Sequence, residues 1–354
     1  MSQADNQVEA SLRNRKLTIV SLQAATDDEL RRLVRLAQEF HAFAISIVFS
    51  EAGSAQRRKQ RLTRIGFRQT CCLPDLSSGK KRVSIRLCPT WPDRRHLSGP
   101  FDIIGDVHGC ASELLALLKK LDYDVSYFAD DGLGRTYFII PPAGRTAVFA
   151  GNLSGAGPRN EDVLAIVNGL EATDSVLRVW GDQDDRARSS AIRKAWLDPV
   201  HRSYHTEFDK DYTIHDDHKF NVTANSASVV SHLWLDGGDL IVTHAAIRDD
   251  LIGRTSSAVR TYCIYGPDSV DAQLHEPNDE LDWVQSYNGG AAVVFGHYRF
   301  RAARWQNNTI GINTDCVNGG ALTALRWPER ELVAVKAERD YAGASRAVSN
   351  DESQ

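Results

Sequence analysis

The stretch Phe101-Asp102-Ile103-Ile104-Gly105-Asp106-Val107-His108-Gly109 decides the fold of the larger part of this chain. Its first four residues are mainly apolar, which predicts a short buried strand. Asp106 and His108 follow at the end of that strand, and the apolar periodicity of residues 112–121 predicts a helix behind them. Polar side chains at the carboxyl end of a strand, in front of a helix, are typical of the active site of an α/β protein.

The same arrangement recurs four more times along the chain. Apolar runs at residues 146–150, 176–180, 240–243 and 292–295 are each followed at once by a polar cluster. These clusters are Gly151-Asn152, Gly181-Asp182-Gln183-Asp184, His244-Ala245 and Gly296-His297. A single histidine or aspartate after a strand is more often a turn or core residue, but five in series indicate a functional site.

The residue types in these clusters favour divalent metal ions. Aspartate oxygens and imidazole nitrogens suit Mn²⁺, Fe or Zn²⁺. Two such ions about 3.5–4 Å apart hold a phosphoryl group and generate a hydroxide between them. We therefore predict a metal site, with Mn²⁺ as the expected cofactor, formed by Asp106, His108, Asn152, Asp182, His244 and His297.

This series of clusters resembles the calcineurin-like metallophosphoesterases. Order and spacing are most similar to the branch that holds the symmetrical diadenosine tetraphosphatases and the phosphatase domain of bacterial polynucleotide kinase–phosphatases. The likeness runs from about residue 101 to residue 335, through Gly253-Arg254-Thr255-Ser256 and residues 319–333. It implies a two-sheet α/β sandwich over residues 99–336, with a helical insert at about 186–236.

The N-terminal part predicts a small α/β domain over residues 16–98. Strands are predicted at 17–22, 43–49, 69–73 and 82–87, with one helix from Thr26 and another over 54–65. The segments 16–50 and 60–66 resemble a truncated kinase domain of polynucleotide kinase–phosphatases, without the glycine-rich segment that holds ATP phosphates. Residues 1–15 and 337–354 are predicted to be flexible tails.

Several positions depart from the pattern that the resemblance implies. The family's bridging aspartate is Asn152 here, and an amide brings no negative charge to offset two close dications. The family's proton-donating histidine is Gln183, which cannot transfer a proton near neutral pH, and its aspartate partner is Gly155. The family's phosphate-binding arginine is Ala156. Three arginines are candidates for its substrate-binding role, with Arg254 the first choice: Arg159, Arg254 and Arg260.

Asp182 stands where the family has an asparagine, so the number of carboxylates at the site is kept. We expect Asp182, His244 and His297 to hold one ion well, because three O and N ligands plus water make an open site. Asp106 and His108 are expected to hold a second ion only weakly.

Three functions are consistent with these residues. The first is a diverged phosphoester hydrolase, with weakened or lost catalysis, acting on a nucleotide or an RNA-end phosphate. The alternative is an inactive pseudophosphatase that binds a phosphorylated small molecule, a nucleotide or a protein partner, because bridge, proton donor and arginine are lost together. A scaffold without a ligand would bind neither metal nor nucleotide.

Composition sets the remaining limits. The net charge of −4, from 42 Lys+Arg against 46 Asp+Glu, excludes a bulk positive field that would attract nucleic acid or membranes. The six cysteines form no CxxC pair. No apolar run is long enough to span a membrane and residues 1–15 lack a signal-peptide core, so a cytoplasmic protein is expected. The basic segment 57–64 is interpreted as a solvated helix face in preference to a contact for an RNA backbone.

Overall fold

A computed structural model describes residues 3–14, 16, 18–20, 25–49, 54–73, 90–130, 134–189, 229–267 and 281–343. The chain divides into two compact units. The N-terminal unit takes Met1–Leu87 and Arg254–Val259, and the larger unit takes Cys88–Thr213, Val222–Gly253 and Arg260–Gln354. The predicted boundary between residues 98 and 99 stays a prediction.

The N-terminal unit combines helices with a small parallel sheet. Its elements are α1 (Gln3–Arg13), α2 (Asp27–Glu39), β1 (Ile45–Phe49), α3 (Ala55–Ile65) and β2 (Gln69–Leu73). Thr26 begins α2 as predicted, because its hydroxyl accepts the Glu29 N–H at 3.3 Å while the Glu29 carboxylate accepts the Thr26 N–H at 2.8 Å. Val34 of α2 packs against Leu62 and Ile65 of α3.

Other predictions for this unit differ from the structure. Residues 18–20 of the predicted first strand have no regular structure, and Ile19 and Val20 are 69% and 42% exposed. The strand predicted at 82–87 lies outside the described residues. Helix α1 occupies most of the predicted N-terminal tail, and Arg13 pairs with Glu9 on its surface at 2.8 Å.

The larger unit alternates strands and helices. The remaining elements are β3 (Phe101–Ile104), α4 (Ala111–Lys120), β4 (Asp124–Asp130), β5 (Gly134–Ile140), β6 (Thr146–Phe149), α5 (Asn160–Glu171), β7 (Val176–Val179), α6 (Asp182–Ser189), β8 (Val229–Val230), β9 (His232–Leu235), β10 (Leu240–Thr243), α7 (Ser257–Tyr265), α8 (Asp282–Ser286), β11 (Ala292–Phe295), β12 (Trp305–Gln306), β13 (Thr309–Gly311), β14 (Ala321–Trp327) and β15 (Glu331–Lys336).

Two mixed sheets form the frame of this unit. The first has the order β15-β14-β3-β6-β7-β8, in which β3, β6, β7 and β8 are parallel and β14 runs antiparallel to both of its neighbours. The second has the order β12-β13-β11-β10-β9, with β13, β11 and β10 parallel. Strands β4 and β5 form a separate antiparallel hairpin that the sequence analysis did not predict.

Side chains of β3 alternate between two apolar cores. Phe101 and Ile103 lie in the core between the sheets, together with Val242 and Val294 of the second sheet. Ile104 points to the opposite face, where the core is closed by α4 and α5. Because the two sheets share one core and helices cover the outer face of the first sheet, the predicted two-sheet α/β sandwich is confirmed.

Both ends of the predicted larger domain differ in detail. Ala337, Tyr341 and Ala342 are buried in the core under α4, so the segment up to residue 343 packs where a flexible tail was predicted. Residues 190–228 of the predicted helical insert lie outside the described residues. The described end of the insert is not helical but forms β8 and β9, whose backbones pair with those of β7 and β10.

Among the described residues, no helix combines the length and apolar character that crossing a membrane requires.

Candidate metal centre

Asp106 and His108 follow β3, as the sequence predicts. The Asp106 side chain is fully buried and accepts the backbone N–H of His297 at 3.2 Å. His108 Nε2 lies 3.5 Å from Asp106 Oδ2, and the His108 backbone N–H donates to the Asn152 carbonyl at 2.8 Å. The end of β3 is therefore tied to the ends of β6 and β11, so that the polar clusters of three strands meet.

Asn152 lies between two carboxylates. Its Nδ2 donates to Asp106 Oδ2 at 3.0 Å and to Asp182 Oδ1 at 2.9 Å. Its Oδ1 accepts the backbone N–H of Gln183 at 3.0 Å, which fixes the orientation of the amide. The donor end of the carboxamide thus faces the carboxylates, and the oxygen that would bind a metal points to the start of α6.

Asp182, His244 and His297 bring three ligand atoms together. His244 Nε2 and His297 Nδ1 lie 3.3 Å and 3.5 Å from Asp182 Oδ1, and 3.3 Å from each other. All three ligand atoms lie within 4.8 Å of one another. The second nitrogen of His244, Nδ1, lies 2.7 Å from the Ala150 carbonyl oxygen. That contact places a proton on Nδ1, which donates to the carbonyl, so Nε2 is the nitrogen that would bind a metal after losing its own proton.

The charges in this cluster stabilise one another. Burial disfavours the charged form of Asp182, but hydrogen bonds from His244, His297 and Asn152 outweigh it and hold the pKa of Asp182 below its usual range. Burial likewise opposes ionisation of Asp106, and the nearby His244 charge lowers the pKa of Asp106 in spite of it. The pKa of His244 is raised, because the two carboxylates overcome the effect of its burial.

Three of the predicted ligands have left-handed backbone conformations. The φ angles are 49° for His108, 49° for Asn152 and 58° for His297. Such conformations cost on the order of 1–3 kcal/mol each when a side chain is present, and they cluster at functional sites. Asn313 supports one of them, since its Nδ2 donates to the His297 carbonyl at 3.0 Å.

Sequence reasoning missed two acidic residues that organise the site. Asp184 is half-buried and accepts the backbone N–H groups of Leu153 and Gly181 at 3.4 and 3.3 Å, which ties the β6 loop to the β7 loop. Burial raises the pKa of Asp184. Asp185 accepts both Arg260 terminal nitrogens and the Tyr265 hydroxyl. The run of three acidic residues directly after a strand end, Asp182, Asp184 and Asp185, is the signal that could have identified them.

The residues that differ from the pattern implied by the resemblance, and the arginine proposed to compensate, have different surroundings in the structure. Gln183 Nε2 donates to Asp182 Oδ2 at 3.1 Å, so its side chain orients a ligand. Gly155 lies against His108, where an added Cβ would be 2.9 Å from His108 Cγ and closer still to Nδ1. Arg254 belongs to the N-terminal unit, with its Nη2 3.4 Å from a backbone carbonyl of α1, and its substrate-binding role stays a prediction.

The donor set at the three strand ends suits a divalent cation. Asp182, His244 and His297 offer an oxygen and two nitrogens from three strand ends, which is a set that Mn²⁺ or Zn²⁺ accepts. A second ion would need a bridging oxygen anion, and Asn152 presents N–H groups at that place.

Comparisons with known proteins identify relatives of this chain by sequence. No protein-family model matches the chain. It is 32% identical over 249 residues to the asymmetrical bis(5'-nucleosyl)-tetraphosphatase PrpE of Anoxybacillus flavithermus, covering 68% of this chain and 96% of that protein. The Bacillus subtilis protein of the same name is 31% identical over 245 residues, with the same two coverages.

One solved structure, whose description names a diadenosine tetraphosphatase, is 20% identical, covers 71% of this chain and 99% of its own, and gives a TM-score of 0.45. The curated relatives carry the asymmetrical name, whereas the sequence analysis compared the chain with the symmetrical enzymes. Because these relatives align over 96% of their length at more than 30% identity, the chain belongs to the calcineurin-like metallophosphoesterase family.

Proposed function

We propose that this chain is a diverged metallophosphoesterase that binds one divalent cation and hydrolyses a nucleotide phosphoester slowly. Asp182, His244 and His297 would hold the cation. Relatives at 32% and 31% identity are named bis(5'-nucleosyl)-tetraphosphatases, which favours a nucleotide with a polyphosphate chain as the ligand.

The orientation of Asn152 is the observation that carries this proposal. Its carboxamide donates to Asp106 and Asp182 at once, at 3.0 and 2.9 Å. A bridging ligand must present oxygen to both ions, and turning the amide over would remove its bond with the Gln183 N–H. Two dications so close to each other would repel without a carboxylate between them. These contacts favour a single ion, held by Asp182, His244 and His297.

The residues of the site would perform only part of the family's chemistry. A bound divalent cation supplies charge that polarises a phosphoryl oxygen. His244, fixed by Ala150, and Asp182, fixed by Asn152 and Gln183, hold their ligand atoms in place without it. Such prior positioning keeps binding efficient, because little reorganisation is required.

Proton transfer to the leaving group is the step that the chain lacks. Gln183 stands in the position of the family's acid and donates an amide hydrogen to Asp182 instead. An amide has no titratable proton near neutral pH, so the leaving oxygen must be protonated by water. Loss of general-acid help reduces a rate by about 10²–10⁴-fold, which leaves a slow but measurable reaction.

The test combines metal stoichiometry with turnover. Manganese bound per chain would be measured by elemental analysis after dialysis, and hydrolysis of diadenosine tetraphosphate would be followed by chromatography. We expect one ion in the wild type, loss of the ion and of turnover in His244→Ala, and no change in the exposed control Asp250→Ala. Two tightly held ions per chain would contradict the proposal.

A second candidate function is ligand binding without hydrolysis. The observation that favours it is the engagement of Gln183 with Asp182, which leaves no proton donor at the family's position. Gln183→His separates the two candidates. Metal-dependent turnover that rises in this variant supports the slow hydrolase, whereas no turnover in either protein, together with retained nucleotide binding, supports the pseudophosphatase.

Finer assignments complete the proposal. Mn²⁺ is proposed as the ion, and the cytoplasm as the location. The N-terminal unit is proposed to be a truncated kinase-like domain of the polynucleotide kinase–phosphatase type, and an RNA end or a protein partner is an alternative to a free nucleotide. Arg254 is proposed to contact substrate phosphate, which Arg254→Gln would test as a weaker apparent affinity for the nucleotide at unchanged metal content.

A further inference from the structure

Helix α3 and the sequence after it carry a positive charge that the metal centre does not explain. From residue 54 to residue 88 the sequence has one acidic side chain, Asp75, among many basic ones. The basic residues are Arg57, Arg58, Lys59, Arg61, Arg64, Arg68, Lys80, Lys81, Arg82 and Arg86. The whole chain has a net charge of −4, so this excess is local.

The packing of α3 directs its cations to water. Leu62 and Ile65 are buried against Val34, and they fix one side of the helix on α2. The five basic residues of α3 are all exposed: Arg57, Arg58, Lys59, Arg61 and Arg64. The helix therefore presents charge wherever it does not contact the core.

Most of these cations have no acidic partner within the described part of the chain. Arg61 pairs with Asp27 of α2. No ion pair joins the other four to a described carboxylate, and we name these four the α3 surface: Arg57, Arg58, Lys59 and Arg64. Helix α2 differs, because Arg31 pairs there with Asp28 at 3.1 Å.

The spacing brings like charges close together. Arg57, Arg58 and Lys59 are consecutive, and Arg64 lies two turns after Arg57 on the same side of the helix, about 10 Å away. Arg61, between these turns, is paired with Asp27. A polyanion that binds the helix would offset the repulsion among the unpaired cations.

We propose that the α3 surface binds the phosphodiester backbone of single-stranded nucleic acid. Its cations are mostly arginines, whose planar guanidinium groups bind phosphate oxygens in pairs. Lys59 lies two residues from Arg57 and hence on a different side of the helix. A flexible single strand can follow cations around a helix, whereas a rigid duplex would contact one side.

The composition of the exposed face argues against a membrane as the partner. Gln56, Gln60 and Thr63 are the other exposed side chains of α3, and its large apolar residues are the buried Leu62 and Ile65. Helices that lie on membranes insert a face of large apolar side chains into the lipid. In α3 the large apolar side chains are buried in the core of the N-terminal unit instead.

The full chain would be tested with a fluorescently labelled oligouridylate of about 20 nucleotides, by anisotropy at about 50 and about 200 mM salt. Four phosphate contacts predict a logarithmic salt slope of about −3, so affinity of the wild type should fall about 50-fold over this range. The variant Arg57→Gln/Arg58→Gln/Arg64→Gln should lose at least about tenfold in affinity at the lower salt, and only about threefold between the two salts. Glutamine keeps the helix, because its propensity is close to that of arginine.

The matched control removes the same number of charges from the neighbouring helix. Arg31→Gln/Arg32→Gln/Arg35→Gln lies on α2, where four acidic residues balance the arginines, and it should bind oligouridylate within about twofold of the wild type. Equal affinity of the α3 variant and the wild type would overturn the proposal. Binding to phosphatidylserine vesicles with no binding to oligouridylate would overturn it too. Hydrolysis at the metal centre is independent of these outcomes, so the two proposals can fail separately.

Discussion

Asn152 and Asp182 carry an amide and a carboxylate in the reverse of the family's order, and the amide joins two carboxylates by hydrogen bonds of 3.0 and 2.9 Å. Substitutions at these two residues allow effects on the stability of the fold to be measured apart from effects on metal binding. A neutral donor stabilises neighbouring carboxylates when no metal is present, whereas a third carboxylate would need metal to offset its charge.

Asn152→Asp is therefore expected to destabilise the metal-free protein and to strengthen metal binding. Three carboxylates in contact repel one another, and the metal-free thermal midpoint should fall by several degrees, at about 2–4 °C per kcal/mol for a chain of this size. Added Mn²⁺ should raise the midpoint of the variant more than that of the wild type. Differential scanning fluorimetry with and without Mn²⁺ measures both effects. The exchange Asn152→Asp/Asp182→Asn keeps the charge and should recover the metal-free midpoint; an unchanged midpoint in the single variant would contradict this account.

Gly155 shows that an altered position can depend on the conformation of a retained ligand, His108. An added Cβ would be 2.9 Å from both Cβ and Cγ of His108, so restoring the family's aspartate alone would displace the imidazole. Gly155→Ala is expected to cost about 1–3 kcal/mol of unfolding free energy through this overlap. Gly290→Ala is the control, because nothing lies within 4 Å of an added Cβ there. Urea unfolding measures the loss, and His108→Ala should remove it in a double-mutant cycle; additive effects of the two substitutions would show that the overlap is absent.

At the scale of elements, α4 is held to the C-terminal segment by a buried carboxylate. Glu113 is 2% exposed and accepts the Tyr341 hydroxyl at 2.7 Å and the Glu338 backbone N–H at 3.0 Å. Tyr341→Phe removes one of these donors, and we expect a loss of about 1–3 kcal/mol of unfolding free energy in a urea titration. Tyr127→Phe, at a side chain that is 57% exposed, should change it by less than about 0.5 kcal/mol. Equal effects of the two substitutions would show that the bond does not stabilise the segment.

The same segment shows where sequence patterns lose information. Strands β3, β10 and β11 are predicted to the residue, because each is a short apolar run that ends at a polar cluster. Residues 337–343 are polar by composition, and burial of Tyr341 depends on Glu113 more than two hundred positions away in sequence. Local sequence patterns carry no information about a contact between residues so far apart in the chain. The hairpin β4–β5 was missed for a different reason, since β5 has apolar side chains on both faces, with Tyr137 and Ile139 buried and Phe138 and Ile140 exposed. The sequence there shows no alternation of apolar and polar residues.

For the site, the sequence predicted which residues meet but not how their side chains are oriented. All six predicted ligands converge at the strand ends, because parallel strands place their carboxyl ends at one edge of a sheet. The sequence shows that Asn152 replaces an aspartate, but only the contact with the Gln183 N–H shows which end of the amide faces the carboxylates. Asp184 and Asp185 were missed because their partners are backbone N–H groups and a distant arginine.

For the molecule as a whole, a buried histidine sets an expected response to acid. The His232 ring is completely buried, its Nε2 accepts the Gly253 N–H at 2.8 Å, and burial lowers the pKa of His232 to about 3. The unfolded chain binds a proton at this residue below about pH 6.5, while the folded chain does not. Stability should therefore fall as pH decreases from about 6.5 towards 3, by up to about 1.4 kcal/mol per pH unit from this residue.

His232→Gln tests that response because glutamine can accept the same hydrogen bond and does not titrate. Unfolding free energies from urea titrations at about pH 7 and pH 5 give the loss of stability in acid. The variant should lose about 2 kcal/mol less than the wild type between these pH values. An equal loss in both proteins would assign the acid sensitivity to other groups.

The amide of Asn152 has a consequence for a cell that runs short of divalent cations. Where a centre consists of unopposed carboxylates, starvation for metal weakens the fold, and proteases remove chains that open. Here a neutral amide donates hydrogen bonds to both carboxylates in the same space, so newly made chains would reach their native form without metal and persist. Metal supply would then set how many copies are loaded at a given moment, while the number of copies stays constant. Such a reserve could be filled within the time of ion binding, without new synthesis.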